Sequence, residues 1–444
     1  ETSLAIWSQA ILAWPSPVPC PNLYSLTNYH ILDMVSCTLL LVAGSFLPVI
    51  ALRSRSSQFS KVSDLDSYTF QQFVHDFERS YQQGTEEWAR REELFSKRRS
   101  EMIEFNGLPD QSWKMGLSKF MDYTEAEKQR NLGYTGLGRG RAARGVSSAA
   151  TSLQGSVELP SVFSVTAAQA KKGRSSKLVS IVRDQGSCGS CWANAATSTL
   201  EGQMEVNSTL MDQLAKSMEV PSTPTLSSQT IVSCTPNPRN CGGQGGCSGA
   251  TVELAYTMLQ EKGGIPFAAK WSYEGRASAC REDIFSNHKI GITGWTGLPA
   301  NEQRPLLEAM VTTGGPIAVS AAATHWFMYG GGVFTDRGKG DFTVNHAITL
   351  VGYQMPRAGV QGWYNIKNSW GSGWGENGHI RVEMKPEDEK HCGWDYDTHI
   401  GLACDGDPDS AWVCGTSGIL YDSVYPTGLY FNRAASSGSQ AAGR

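Results

Sequence analysis

The chain has 444 residues, more than one ordinary domain core holds, and this length predicts two or three structural units. A formal net charge of -4 gives no indication of a nucleic-acid partner, and 40% hydrophobic with 10% aromatic residues is typical of a globular protein. The 11 cysteines favour a disulfide framework made in an oxidising compartment over a set of buried thiols.

An apolar segment near the amino end, Met34–Leu52, is typical of a secretory signal peptide, with residues 49–51 as the cleavage site. A membrane-spanning signal anchor is the alternative, because about 20 apolar residues cross a bilayer. One interpretation starts the product at Met34. We predict a leader over residues 1–52 that contains a signal peptide from Met34 to Ala51.

A polar segment, residues 53–132, is predicted to be helical. One helix face carries five residues spaced by 4, 4, 7 and 4 positions: Glu87, Arg91, Phe95, Met102 and Asn106. The following stretch, residues 133–158, is rich in Gly, Ser, Ala and Arg and has little to bury. It is predicted to be an exposed linker that a protease can cut.

The main folded unit is predicted over residues 159–431, with a low-complexity, disordered tail over residues 432–444. A helix is expected to start near Cys191, and a second helix is expected over Thr251–Gln260. The later runs IAVSA, HAITLVGY, WYNIKN and HIRVEM are β-branched and separated by glycines, which predicts antiparallel strands.

The stretch DQGSCGSCWANAA holds the candidate nucleophile, Cys191. A helix that begins at this cysteine stabilises its thiolate and leaves a first-turn backbone N–H free to bind an oxyanion. Gln185 offers a side-chain amide to the same oxyanion. The alternative interpretation of Cys188 and Cys191 is a redox pair, but the βαβ pattern expected around such a pair is missing.

Two downstream residues complete a catalytic set. His346 opens the strand signal HAITLVGY, and by itself it is more typical of a hydrogen-bonded structural histidine. Asn368 lies in NIKNSWGSGWGENGHI, where Trp370 and Trp374 can shield an amide–imidazole hydrogen bond. The order Cys, His, Asn in three separate signals makes catalysis the stronger hypothesis.

The blocks DQGSCGSCWA, VNHAITLVGY and WYNIKNSWGSGWGENGHIRV resemble the signatures of papain-like cysteine proteases of the cathepsin L type. The resemblance covers residues 68–430. Upstream, Glu87, Arg91, Phe95 and Asn106 match the E-R-F-N-I-N helix of the inhibitory prosegment, with Arg98 and Met102 as replacements. GLSKFMD resembles the next prosegment element.

This resemblance implies an α+β fold: a helical prodomain precedes a mainly helical first lobe and an antiparallel β-barrel-like second lobe, with the active site in the cleft. It implies a cysteine endopeptidase made as a zymogen, in which a Cys191 thiolate paired with the His346 imidazolium forms an acyl-enzyme. Asn368 would hold the imidazole, and Gln185 would bind the oxyanion. A catalytically inactive papain-like binding protein is the alternative.

The resemblance also implies the ligands. We expect polypeptide substrates, the chain's own prosegment as autoinhibitor, and cystatin-type inhibitors as partners. We expect no cofactor, no metal, no nucleic acid and no stable membrane association, and a monomer. The expected location is the secretory pathway, ending in an acidic lysosome-like or vacuole-like compartment or outside the cell.

Disulfides of the family would pair Cys188 with Cys247 and Cys234 with Cys280. They leave the pairing of four cysteines open: Cys241, Cys392, Cys404 and Cys414. A zinc site made by His391, Cys392, His399 and Cys404 is an alternative for part of this set, although disulfides are favoured in a secreted chain.

Residues of the substrate pocket are also placed by the resemblance. They are Gly249, Ala250, Thr251, Val252, Ser320, Val344, Asn345 and Trp370. One pocket takes the side chain two residues before the cut. Counting back from the segment SVYP places Asp422 at its floor, whereas counting forward from Cys392 places Asp397 there. An acidic floor would accept Arg as well as Leu or Phe.

Several features depart from the family pattern or extend it. Asn194 follows Cys-Trp-Ala where Phe or Ser is usual, and an insertion lies between Cys392 and Cys414. An endopeptidase is favoured over an exopeptidase because residues 235–246 lack the paired histidines of an occluding loop. Asn207 begins a glycosylation sequon, Asn-Ser-Thr.

Overall fold

The computed structural model describes residues 65–133, 157–174, 176–286, 288–336 and 340–433. The predicted leader and signal peptide, most of the predicted linker and most of the predicted tail lie outside these residues.

Nine α-helices are formed by the described residues. The α-helices are α1 (Phe70–Asp76), α2 (Glu86–Gly107), α3 (Glu125–Arg130), α4 (Val165–Lys171), α5 (Cys191–Val206), α6 (Ser208–Ala215), α7 (Ser228–Cys234), α8 (Val252–Glu261) and α9 (Gln303–Thr313). Short 3₁₀ helices occupy Glu282–Phe285, Asp388–Lys390, Thr398–Ile400 and Thr416–Gly418. The helices predicted near Cys191 and over Thr251–Gln260 correspond to α5 and α8.

Strands dominate the second half of the chain. They are β1 (Trp113–Met115), β2 (Val162–Ser164), β3 (Ile265–Pro266), β4 (Lys289–Gly291), β5 (Gly294–Gly297), β6 (Ile317–Ala321), β7 (Tyr329–Phe334), β8 (His346–Gln354), β9 (Gly362–Lys367), β10 (His379–Met384), β11 (Cys392–Asp395), β12 (Ala411–Cys414), β13 (Ser423–Thr427) and β14 (Tyr430–Asn432).

The prodomain is built around α2, whose inward face is buried. Phe95 and Met102 join a small aromatic core with residues of α1. Arg91 and Arg98 are also buried on this face, and Arg91 donates to both carboxylate oxygens of Glu127 at 2.6 and 2.7 Å. Glu127 also completes a capping box at the start of α3, so one carboxylate fixes α3 to α2.

The helical lobe surrounds α5, in which every residue from Cys191 to Glu205 is buried. A fully buried helix needs a partner for each charge, and Glu201 receives two hydrogen bonds from Arg183 at 2.6 and 2.9 Å. The N-terminus of α5 therefore has a fixed position beside the second lobe, and α5 packs against β8.

The second lobe is a sheet with the order β1-β7-β10-β9-β8-β6-β13-β5. The four predicted strands are β6, β8, β9 and β10, and they pair antiparallel with their neighbours in this group. The pairing of β7 with β10 is parallel, and the sheet has two edges. The barrel-like lobe is thus an open sheet among the described strands.

The prodomain extends this sheet at its edge. β1 pairs antiparallel with β7, with Trp113 opposite Gly332. Just beyond, Gly116 and Gly330 approach so closely that a Cβ on Gly116 would lie 2.7 Å from the Cα of Gly330. Only glycine permits this contact. Strand addition therefore fixes the direction from which the prosegment approaches the cleft.

An inserted hairpin, β11 and β12, lies between Cys392 and Cys414, which are paired in register and form a disulfide. Further along the chain, Asn432 of β14 pairs with Lys289. The predicted disordered tail therefore begins too early, because a strand that completes a sheet includes Asn432.

Candidate active site

Cys191 is the first residue of α5 and the one free cysteine among the described residues. The N–H groups of Ala347 and Trp192 favour its thiolate, but burial outweighs them and raises the pKa of the thiol to about 11. The preceding loop is held by the Cys188–Cys247 disulfide. In this closed state the thiol is protonated at neutral pH.

His346 is oriented by an amide whose direction is fixed. Its Nε2 lies 2.8 Å from Oδ1 of Asn368, and that oxygen also accepts the Ser369 N–H at 2.7 Å. Because Oδ1 is an acceptor, Nε2 carries the proton, and Nδ1 of a neutral ring is free to take one. Nδ1 is buried and has no hydrogen-bond partner. This ring nitrogen is the base available to a nearby thiol.

The environment of His346 is apolar. Its ring stacks on Trp370 with 4.8 Å between centroids. Burial lowers the pKa of His346 to about 4, and the hydrogen bond to Asn368 opposes that shift. Burial therefore disfavours the charged form of both the Cys191 thiol and the His346 imidazole while the site is closed.

Gln185 has its side-chain amide oriented by Ser369, whose hydroxyl donates to Oε1 at 2.7 Å. Its Nε2 donates to the carbonyl of Cys188 and to the carbonyl of Asn131, both at 3.0 Å. Asn131 belongs to the prosegment. A prosegment carbonyl therefore occupies the donor that was predicted to bind an oxyanion.

The prosegment continues directly over the thiol. Leu132 is 4% exposed, and a Cβ added to Gly133 would lie 3.2 Å from Sγ of Cys191. The Gly133 carbonyl is also so close to Gly249 that a Cβ there would overlap it. Gly133 has φ +78°, so two constraints require glycine at this position. The prediction that Gly133 starts an exposed linker is wrong, because this residue is packed in the cleft.

Most of the predicted substrate residues line the same cavity as Cys191 and His346. They are Gly249, Ala250, Thr251, Val252, Ser320 and Asn345. Trp370 is 1% exposed and contacts His346 and the prosegment, with its Nε1 3.4 Å from the Asn131 carbonyl.

Val344 is placed differently from the prediction. Its side chain is fully buried, and a Cβ on Gly418 would lie 3.1 Å from its Cγ2. Its N–H donates to Oδ2 of Asp395 in the insertion at 3.0 Å. The side chain is therefore directed into the lobe interior, because the chain just before β8 does not follow strand alternation.

Of the two candidates for the pocket floor, Asp422 lies beside the predicted wall. Its Oδ2 accepts the Ser320 hydroxyl at 2.6 Å. Glu253 lies next to it, and burial together with the Asp422 carboxylate raises the pKa of Glu253. Asp397 is exposed on the insertion. The count that placed Asp397 at the floor is wrong.

The described residues form four disulfides. Cys188–Cys247 and Cys234–Cys280 are the pairs implied by the resemblance, and Cys241–Cys404 and Cys392–Cys414 use the four cysteines left open. Zinc binding by Cys392 and Cys404 is overturned, since both sulfurs are in disulfides. Across the described ranges, no group of three His, Cys, Asp or Glu side chains could hold a metal ion.

Several residues of the site were missed at the sequence level. Ser369 orients both Asn368 and Gln185, and its position next to Asn368 was the available signal. The prosegment residues Asn131 to Gly133 gave no signal of their own. Asn194, the unusual residue after Cys-Trp-Ala, bonds to the Ser190 carbonyl and hydroxyl at 3.0 and 3.2 Å, so it serves the helix start.

A protonated thiol beside a proton-accepting imidazole, with a folded segment of the same chain across both, defines a thiol hydrolase held in a closed, inactive state. Residues 167–402 match the papain family cysteine proteases, and residues 70–127 match the cathepsin propeptide inhibitor domain.

Known proteins agree with this class. The chain is 30% identical over 294 residues to the cysteine endopeptidase RepA of Oryza sativa subsp. japonica, covering 66% of this chain and 72% of the relative. It is 28% identical over 310 residues to cathepsin L of Sarcophaga peregrina, covering 68% and 83%. The solved structure of digestive procathepsin L2 from Tenebrio molitor larval midgut matches with a TM-score of 0.59 and 26% identity, covering 80% and 98%.

The chain belongs to the papain family of cysteine proteases. It is a cysteine endopeptidase made as a zymogen, with its own prosegment as inhibitor and polypeptides as substrates. The predicted family, fold class and activity are confirmed. Within the part of the chain that the structure describes, no helix is long and apolar enough to cross a membrane.

Proposed function

We propose that Cys191 is the nucleophile and that His346 is the base that removes its proton through Nδ1. The observation that carries this assignment is the fixed tautomer: Asn368 holds the Nε2 proton and leaves Nδ1 unpartnered in the shared cavity. After acylation, the protonated His346 gives its proton to the leaving amine, and water releases the acyl group.

The oxyanion formed during acylation would be bound by Gln185 and by the first N–H of α5. Gln185 Nε2 already donates to the backbone carbonyl oxygen of Asn131, a neutral acceptor at the place where the oxyanion would form. Removal of the prosegment would free this donor for substrate.

The test of this assignment is mass spectrometry after reaction of the processed protein with an epoxysuccinyl thiol trap. One adduct is expected, on Cys191, and none is expected on Cys191→Ala. A folded, fully processed chain without an adduct would contradict the proposal. The four disulfides leave no other thiol among the described residues to compete.

Replacement of Asn368 is expected to lower kcat about 10- to 100-fold with little change in KM, because the unheld imidazole loses the tautomer it needs. Asn368→Ala is measured with a dipeptide amide substrate. The matched control is Asn365→Ala, a half-buried residue of β9, the strand that ends just before Asn368, and it should stay within about twofold. Equal losses in both variants would show a general effect on folding.

We also propose that the carboxylates at the pocket floor accept a basic side chain two residues before the cut. Asp422 and Glu253 lie together behind Ser320, where carboxylate oxygens can accept hydrogen bonds from a guanidinium group. Both also line a cavity of about 1020 Å³ that extends beneath the inserted hairpin.

Asp422→Ala is expected to lower kcat/KM about tenfold for a substrate with Arg at that position and to leave the Leu substrate within about twofold. Asp397→Ala, at the rejected and exposed position, is the matched control and should change neither. A large preference for Phe over Arg in the unaltered enzyme, independent of pH, would refute the acidic floor.

Processing, location and partners are extensions of this proposal. We propose cleavage within residues 134–158, glycosylation at Asn207 and passage through the secretory pathway to an acidic compartment or the exterior. Asn207 is the half-buried N-cap of α6 and uses Oδ1 to bind the Leu210 N–H, which leaves Nδ2 for a glycan. We further propose a monomer that cystatin-type inhibitors can bind.

A further inference from the structure

The insertion between Cys392 and Cys414 is tied to both lobes. Its own disulfide closes its base on the β lobe, and Cys241–Cys404 joins it to the helical lobe over a separation of 163 residues. The segment that runs between these ties, residues 400–404, is called the bridge below.

On the β-lobe side, the bridge lies against the residues just before the catalytic histidine. A Cβ added to Gly401 would overlap the Val344 carbonyl oxygen and lie 3.0 Å from the Cα of Asn345. Ile400 and Gly401 line the same cavity as Cys191. The bridge therefore starts within the catalytic cleft.

On the helical-lobe side, the bridge meets the loop at Gly242. The Gly242 N–H donates to the Ala403 carbonyl at 2.9 Å. A Cβ on Gly242 would lie 3.0 Å from the Gly401 carbonyl, 3.1 Å from Thr251 and 3.2 Å from Ala250. The contacts thus continue without a gap from Asn345 to Ala250.

Further polar contacts hold the bridge to this lobe. Asn240 donates to Asp405 at 2.7 Å, and Arg239 pairs with Asp407 at 3.3 Å. Together with the Cys241–Cys404 disulfide, they fix the carboxyl end of the bridge to the helical lobe. The bridge is therefore held between the two lobes by specific contacts.

Ala250 and Asn345 lie on opposite sides of the proposed path of the substrate residues that precede the scissile bond. We infer that the bridge closes this half of the cleft and limits how many residues can precede the scissile bond. The inference rests on the proposed function of the site. The enzyme still cleaves internal bonds, but bonds one or two residues from a free amino end are cleaved faster than bonds that follow a longer amino-terminal extension.

The test compares three fluorogenic amides that share the same last two residues and leaving group. They are the free dipeptide, the N-acetyl dipeptide and an N-acetyl tetrapeptide. The mature enzyme is expected to show kcat/KM at least about tenfold higher for the free dipeptide than for the tetrapeptide, because the bridge excludes the extra residues.

Removal of the Cys241–Cys404 disulfide should allow longer peptides to bind in the cleft. In the double variant Cys241→Ser and Cys404→Ser, kcat/KM for the tetrapeptide is expected to rise about tenfold while the free dipeptide stays within about threefold. The matched control is Cys234→Ser with Cys280→Ser, which removes a disulfide of the helical lobe away from the bridge and should keep the wild-type ratio.

Equal cleavage of dipeptide and tetrapeptide by the wild type would overturn the inference, and so would an unchanged ratio in a folded bridge variant. The wild-type ratio remains decisive if that variant does not fold. Titration of Cys191 with the epoxysuccinyl trap separates the two proposals. Absence of both labelling and cleavage refutes the catalytic assignment, whereas labelling with equal cleavage refutes the bridge alone.

Discussion

Alkylation of Cys191 by iodoacetamide at about pH 6 is expected to be about 10³-fold or more faster in the processed enzyme than in the zymogen, because only the thiolate reacts. In the zymogen, burial raises the pKa of Cys191 to about 11 and lowers that of His346 to about 4. Both groups are neutral at pH 6. Once the prosegment leaves, solvent and the paired imidazolium favour the thiolate, whose pKa in such pairs falls to about 3 to 4.

The alkylation rate of Cys191 should depend on pH differently in the zymogen and in the processed enzyme. A raised thiol pKa means that the zymogen becomes reactive only as pH rises toward about 11. The processed enzyme should react throughout the range above about pH 4. The rate is followed by mass spectrometry of the Cys191 peptide, with Cys191→Ala as the blank. Equal rates in both forms at pH 6 would mean that the prosegment does not set the ionisation of the pair.

Local sequence signals predicted the parts of this site that depend on adjacent residues. The helix from Cys191 was expected because the segment after Ser190 lacks helix breakers over its first turns, and α5 begins there. His346 was expected at a strand start, and β8 begins with it. Each of these features depends on residues close along the chain, so a local pattern was sufficient.

Features that depend on distant residues could not be read in this way. Cys241 and Cys404 are 163 residues apart, and neither is surrounded by a pattern that selects its partner. Cys392 and Cys414 pair because β11 and β12 place them in register, which requires knowledge of the hairpin. The bridge across the cleft follows from these two pairings together, so the sequence alone did not indicate it.

Asn345 and Val344 show why the residues of the substrate pocket were harder to predict from the sequence than the catalytic residues. Asn345 lies in the cleft, but its amide also binds the Ala323 N–H and the Thr324 hydroxyl at 3.0 and 2.9 Å. The neighbouring Val344 is directed into the lobe. Side-chain direction just outside a strand depends on such tertiary hydrogen bonds rather than on alternation.

Replacement of Glu127 by Gln is expected to raise the pH at which the prosegment leaves the cleft by about one unit, because the Arg91 ion pair is lost at every pH. The hydrogen bonds from Arg91, with further bonds from Thr124, lower the pKa of Glu127 from 4.5 to about 2. A depressed carboxyl pKa stabilises the folded prodomain above about pH 4.5. That stabilisation is lost as pH falls toward about 2.

The measurement is the fraction of Cys191 that iodoacetamide labels in a short pulse after incubation at each pH from about 3 to 7, a range chosen to span the titration of Glu127. The matched control is Glu92→Gln, on the exposed face of α2, which should keep the wild-type midpoint. An unchanged pH of half-maximal labelling in Glu127→Gln would mean that another group controls the acid-induced release of the prosegment. A shift in this variant alone would link release to one contact, because α3 ends at Arg130 and the residues that cover Cys191 follow directly.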